Sequence, residues 1–138
     1  MDGAIVTGIA GVWAGVSLGG ALVAAPAKFR APSLTRPVAL EVGRAQFAWV
    51  GATEAALAAG LLGAMFLQSA PVWPGALLAI ALFAAQRLGV MPFLDARTRQ
   101  IIAGGGPPPS RLHQMFVLLE IAKFFLLACL ALGLAPLS

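Results

Sequence analysis

Residues 45–67, AQFAWVGATEAALAAGLLGAMFL, carry a single charge, Glu54, in twenty-three positions. At about 1.5 Å of rise per residue a helix of this length spans the roughly 30 Å hydrocarbon core of a bilayer. An acid in the middle of such a span is costly in hydrocarbon and needs a partner or a purpose. Both features recur along the chain. Ala4 to Ala27, Gly75 to Leu94 and Leu112 to Leu134 are similarly apolar and long. The expected fold is therefore all-α: one domain over residues 1–138, a polytopic membrane protein built as a four-transmembrane-helix bundle. Breakers or charges bound the spans: Pro26 and Lys28 the first, Ser69-Ala70-Pro71 the second, Pro92 and Asp95 the third, Pro136 the fourth.

Composition agrees. Of 138 residues, 60% are apolar and 10% charged, with a mean hydropathy of +0.93. A water-exposed globule needs roughly a quarter of its residues charged, so a soluble domain is excluded, along with disordered, collagen-like and disulfide-stapled chains. The net charge of +4 would point to nucleic acid in a soluble protein. Here the cations sit beside apolar spans, so a lipid bilayer is the expected partner and nucleic acid is not. Cys129 stands alone. His113 and Met115 could suggest a soft metal with it, but Cys129 lies 16 residues beyond His113 on one helix, about 24 Å away, so no metal and no cofactor is expected.

Orientation follows from the loops. Lys28, Arg30, Arg36 and Arg44 flank the first connection and Arg97, Arg99 and Arg111 the third, whereas the Ser69 to Pro74 connection is uncharged. The positive-inside rule places both basic loops in the cytoplasm and both termini outside, with Trp73 and Trp49 as interfacial anchors. Ala25-Pro26-Ala27 imitates a signal-peptidase site, but the preceding run begins with Asp2, lacks a basic segment and exceeds the length of a signal peptide's apolar core. All four helices are expected to be retained. Seven Arg against two Lys, with no Asn or Tyr, resemble the codon bias of a GC-rich bacterium, which suggests a bacterial inner membrane.

The two halves of the chain run in parallel. Pro26 precedes Arg44 by 18 residues and Pro92 precedes Arg111 by 19; Glu54 follows ten residues after the first arginine and Glu120 nine after the second. Two tandem helical hairpins related by an axis along the membrane normal would give this pattern, although any two hairpins obeying positive-inside share part of it. Gly11, Gly15 and Gly19, with Gly8 nearby, form a small-residue face on the first helix. It is suited to close approach of Ala52, Ala56 and Gly60 on the second, or of another subunit.

Four charges, Glu54, Arg87, Glu120 and Lys123, fall inside apolar spans, roughly 12 to 18 Å from the basic ends. Glu120 and Lys123 are three apart and can meet on one helix, which leaves Glu54 and Arg87 to pair between helices two and three. One account is a neutral ion-pair network that orients the helices, or an Arg87 that snorkels to the interface. The other is a polar cavity lined by Gln46, Thr53, Gln86 and His113, in which a carboxylate takes up a proton, a cation or a solute.

The third loop, Gly104-Gly105-Gly106-Pro107-Pro108-Pro109-Ser110, combines a flexible bend with a stiff strut. Its glycine amides could cradle a phosphate or lipid headgroup beside Arg97, Arg99 and Arg111, or it could be a plain solvated loop. Ser110 is placed to cap the last helix. In the first loop Phe29, Leu34, Val38 and Leu40 alternate with polar residues, as in a segment lying on the membrane surface, and Glu41 and Arg44 are spaced to pair.

The stretch from Ala24 to Glu54 and the Arg111-Leu112-His113 start of the last helix resemble small four-helix bacterial membrane proteins. More distantly, they are similar to the four-helix family that includes a vertebrate protein linked to platinum-drug resistance. The matching pieces are Phe29-Arg30 after helix one, Pro92 near the end of helix three, and His113. That resemblance implies the fold and a suggestion of transport. Arg44-Ala45-Gln46 followed by Glu54 resembles the second helix of the MAPEG enzymes, four-helix trimers that use glutathione. The interval of ten and the absence of Asn depart from their pattern.

Three functions are compatible with these residues: a small-solute, ion or proton-coupled transporter or channel acting as an oligomer, a membrane enzyme on a lipophilic substrate, and a non-catalytic subunit of a membrane complex. The charged level opening toward polar residues favours the first.

Overall fold

The computed structural model describes residues 3–67 and 74–134, which fold into helices and turns with no strand among them. Helix α1 runs Ala4–Lys28, α2 Arg36–Leu67, α3 Pro74–Ile102 and α4 Leu112–Ala131; each is long and apolar enough to cross a membrane. They form a ring in chain order, with α4 closing back on α1. Neighbours are antiparallel. Gly11, early in α1, lies against Ala131 at the end of α4, and Arg44, early in α2, pairs with Asp95, late in α3. The loops between α1 and α2 and between α3 and α4 therefore share one end, called here the basic end.

Two helices outrun the apolar stretches that signal them. Helix α2 begins at Arg36, nine residues before Ala45, and α3 continues to Ile102, eight past Leu94. Charged residues end an apolar count but not a helix, and Pro37 sits in the first turn of α2, where its missing N–H is not needed. Val38 and Leu40 are accordingly helical, not part of a surface-lying loop. Arg44 pairs with Asp95, which the longer α3 brings to it, in place of Glu41.

Pro26 and Pro92 do not break their helices. Interior proline cannot donate to the backbone ladder and crowds the carbonyl four residues earlier. In both helices the preceding turns widen to π geometry, over Ser17–Ala24 in α1 and Ala85–Val90 in α3, each ending two residues before its proline. Such widening moves the crowded carbonyls aside without ending the helix.

The half of the bundle remote from the basic end is a dry core of Val6, Ala10, Leu61, Met65, Leu127 and Leu130, with Ala64, Ala76 and Ala79 drawing the helices close. Outward faces are strongly apolar: Phe66, Leu88 and Trp49 are 90%, 80% and 77% exposed. The expected glycine contact between α1 and α2 is not made. A Cβ on Gly15 or Gly19 would meet nothing within 4 Å, Gly11 faces α4, and Gly60 is neighboured by Ile9. The tight glycine of α1 is Gly20, where a Cβ would come within 2.9 Å of Val50 on α2. Trp73, the Ser69–Trp73 part of the second connection and Pro136 lie outside the described residues.

The third loop is tied by hydrogen bonds to both helices that flank it. Gly104 takes φ 89°, and the amides of Gly104 and Gly105 donate to Ile101 (3.0 Å) and Gln100 (2.8 Å), closing α3. Those two amides are thus occupied and do not form an anion cradle. Arg97 donates to the carbonyl of Pro108, folding the loop back on α3, and the Ser110 hydroxyl accepts the Leu112 amide at 3.1 Å, but the N-cap of α4 is Arg111, one residue later than the expected Ser110. Gly104→Ala should lower stability by about 1 kcal/mol, the usual cost of left-handed backbone for an L-residue. Gly106→Ala, in open space with no positive φ, should be neutral; thermal unfolding of the two variants in detergent checks the difference.

Candidate functional site

Just on the basic side of the dry core, all four helices contribute to one buried polar layer. At its centre is Lys123 of α4, fully buried. An ammonium has three donors, and Lys123 directs them to Glu54 Oε2, to Gln86 Oε1 at 2.9 Å and to Glu120 Oε2 at 3.1 Å. Glu54 of α2 also accepts the indole N–H of Trp13 at 2.7 Å and faces the Arg87 guanidinium at 3.5 Å. Glu120 accepts the Ser17 hydroxyl and, at 2.7 Å, the Gln86 amide. Gln86 donates further to the Phe116 carbonyl, and Arg87 to that of Phe47. The two acids and two bases balance, and every carboxylate oxygen has a donor. Phe83 completes the layer, edge-on to Trp13 at 5.7 Å and 5.5 Å beneath the Lys123 ammonium.

Local sequence explains how the groups reach one level. On α2, Gly43, Phe47, Gly51 and Glu54 recur at helical spacing and so share a face. A Cβ at Gly51 would lie 2.5 Å from Arg87 Cζ, and one at Gly43 would lie 2.8 Å from Lys28 Nζ. Each glycine leaves room for a cation from a neighbouring helix. Ser17 and Gln86 both belong to the widened turns of α1 and α3.

Between this layer and the basic end the bundle encloses a cavity of about 610 Å³. Its walls are mostly apolar, including Leu22, Leu40, Phe47, Met91, Phe116 and Val117, and Glu120 lies at its inner limit. Lys28, Arg30, Arg36, Arg44 and Arg97 line it against a single further acid, Asp95. Asp95 is taken by Arg44 at 2.7 Å and Arg99 at 3.3 Å.

The four charges expected to meet do so. Glu54 with Arg87 and Glu120 with Lys123 are paired as the spacing suggests, and the Lys123 to Glu54 contact joins the two pairs. The lining residues fare unevenly. His113 lines the cavity, and Gln46 stands beside it, accepting from Lys28 at 3.1 Å and donating to the Gly20 carbonyl at 2.5 Å. Gln86 is not a wall residue but part of the buried layer. Thr53 is exposed and bonds back to Trp49 on its own helix, because a residue adjacent to inward-facing Glu54 is turned about 100° away. Arg44 and Glu54 have separate partners. Trp13, Ser17, Phe83 and Gly51 were not among the expected site residues. Trp13 and Ser17 were legible in principle, since polar groups four apart inside an apolar span need acceptors. Gly51 becomes informative only once Arg87 is known to face it.

No family model, curated protein or solved structure matches the chain.

Lys123→Met leaves Glu120 without a cation and Glu54 with Arg87 alone, and should cost about 3 kcal/mol or more. Adding Glu120→Gln, which removes the uncompensated charge, should recover part of that loss in thermal unfolding. Gly51→Ala should destabilise the protein with Arg87 present and much less beside Arg87→Ala, a coupling of about 1 kcal/mol measurable in a double-mutant cycle.

Proposed function

We propose that the chain is an integral membrane protein, with its basic end in the cytoplasm of a bacterial inner membrane, that carries a small solute and works as an oligomer. The observation that carries this reading is the cavity of about 610 Å³ on the basic side of the polar layer, with Glu120 at its inner limit, while the dry core fills the other half. A carrier resting with access from one side would have such a cavity. Its volume lies within the range of small-molecule sites. Glu120 belongs to both the cavity and the polar layer, so a proton or solute arriving there competes with Ser17, Gln86 and Lys123 for its oxygens. Occupancy is thereby coupled to helix packing, as alternating access requires.

The repeated order of parts supports the same reading. A widened turn, a proline two residues later and an acid 28 residues beyond that proline occur in each half, in keeping with two tandem hairpins. The open face of Gly15 and Gly19 is available to a second subunit. A second reading, a subunit without transport, draws on the complete pairing of the polar layer, which needs no ligand to be stable.

Proteoliposomes exposed to a bacterial metabolite extract, washed and analysed by mass spectrometry, test the proposal. The expected result is at least one solute enriched over empty liposomes and lost with Glu120→Gln in protein that remains folded. Identical contents in all three preparations would sink the carrier and leave the subunit, which should then co-purify with a partner protein.

A further inference from the structure

Among the described residues, Arg44, Arg87, Arg99 and Lys123 each meet a carboxylate within salt-bridge distance, and the other five Lys and Arg do not. Four of those five, Lys28, Arg30, Arg36 and Arg97, line the same cavity, and Arg111 does not. Lys28 is the most built of them. It is half-buried and held by neutral groups: the Gln46 amide oxygen at 3.1 Å and the faces of Phe29 and Phe47 at 5.5 Å and 5.3 Å. Gly43 leaves the space it fills. A cation so placed keeps its charge available to a ligand and is already oriented toward the cavity, which lowers the ordering cost of binding. Beyond this ring the walls are mostly apolar down to Phe116 and Val117, with Glu120 at the inner limit.

We propose that the cavity binds a single-chain amphiphile with a phosphate head. The head would sit among Lys28, Arg30, Arg36 and Arg97, and the apolar body would run inward along Leu22, Met91, Phe47 and Phe116. Several unneutralised cations favour a phosphate, which carries more than one charge and more acceptor oxygens than a carboxylate, and arginine recognises it through paired N–H donors. The apolar wall excludes a free inorganic anion as the best occupant, since it would leave that surface uncovered. The same chemistry is found in a lysophospholipid drawn from the bilayer and in a soluble alkyl phosphate. The assignment gives the substrate class of the proposed carrier, and rests on that reading for what becomes of the ligand after binding.

Purified protein in a nonionic detergent is titrated with oleoyl lysophosphatidic acid, with decyl phosphate and with decanol, and binding is read by native mass spectrometry. One phosphate ligand per chain, saturable, with decanol bound at least about tenfold more weakly, is expected. Lys28→Gln and Arg36→Gln should each weaken the phosphate ligand by about tenfold while retaining the melting temperature, and Arg111→Gln should not. Preference for the lysolipid assigns a membrane source, and equal or better binding of decyl phosphate a soluble one. Equal binding of decanol, no saturable binding, or an equal loss with Arg111→Gln, which would mean general attraction of anions to a basic surface, overturns the proposal. Phosphate-ligand binding without transport would remove the carrier alone, and transport of other solutes without such binding would remove this assignment alone.

Discussion

The contact of one ammonium with two carboxylates holds the design together. Lys123 bonds Glu54 on α2, Glu120 on its own helix and Gln86 on α3, while Trp13 and Ser17 bring α1 to the same acids. Helices whose outer faces are as apolar as lipid gain little from hydrophobic burial against one another, so small-residue packing and polar contacts must fix their rotation and depth. A buried ion pair is poor evidence for net stability, because desolvation opposes the attraction. Its better-attested effect is specificity. Sliding or turning any helix by one residue would leave a charge or a buried polar group without its partner, so the layer sets the register that the alanine-rich core cannot.

The two prolines serve the same layer. Each lies toward the basic end of an odd-numbered helix, and the widened turns they impose contain Ser17 and Gln86. Widening adds a residue to the turn and rotates what precedes it, which alters the face on which these polar groups emerge. The helices therefore continue beyond the prolines and supply the cavity wall on the basic side, where Lys28 and Asp95 stand. A helix that ended at either proline would leave the cavity without that wall.

Much of this was legible because hydrocarbon-length spans leave few places for charge. Four intramembrane-type charges at a common depth, with acids and bases equal in number, had to meet, and Glu54, Arg87, Glu120 and Lys123 do. What stayed hidden depends on rotation about each helix. The period-3.6 signal is weak when outer faces and core are both apolar, so Thr53 and Gln86 could not be assigned to wall, exterior or layer from spacing alone. The same weakness hides which glycines pack within the chain. Gly15 and Gly19 read as a packing face for α2 or another subunit and meet nothing within this chain, while Gly43 and Gly51 leave the space that Lys28 and Arg87 fill. Helix ends were misjudged where charge was taken as a boundary, at Arg36 and beyond Leu94.

Charge balance in the layer also bears on how a carrier of this shape would work. Glu54 is fixed by Trp13, Arg87 and Lys123 together, whereas Glu120 alone borders the cavity. Neutralising Glu120 leaves Lys123 held by Glu54 and Gln86, so the layer need not collapse, but its sum becomes one positive charge. That excess would lie at the inner limit of a cavity whose outer ring is already cationic, so the one acid of the layer that borders the cavity sets the charge at its end, while Glu54 keeps the helices in register.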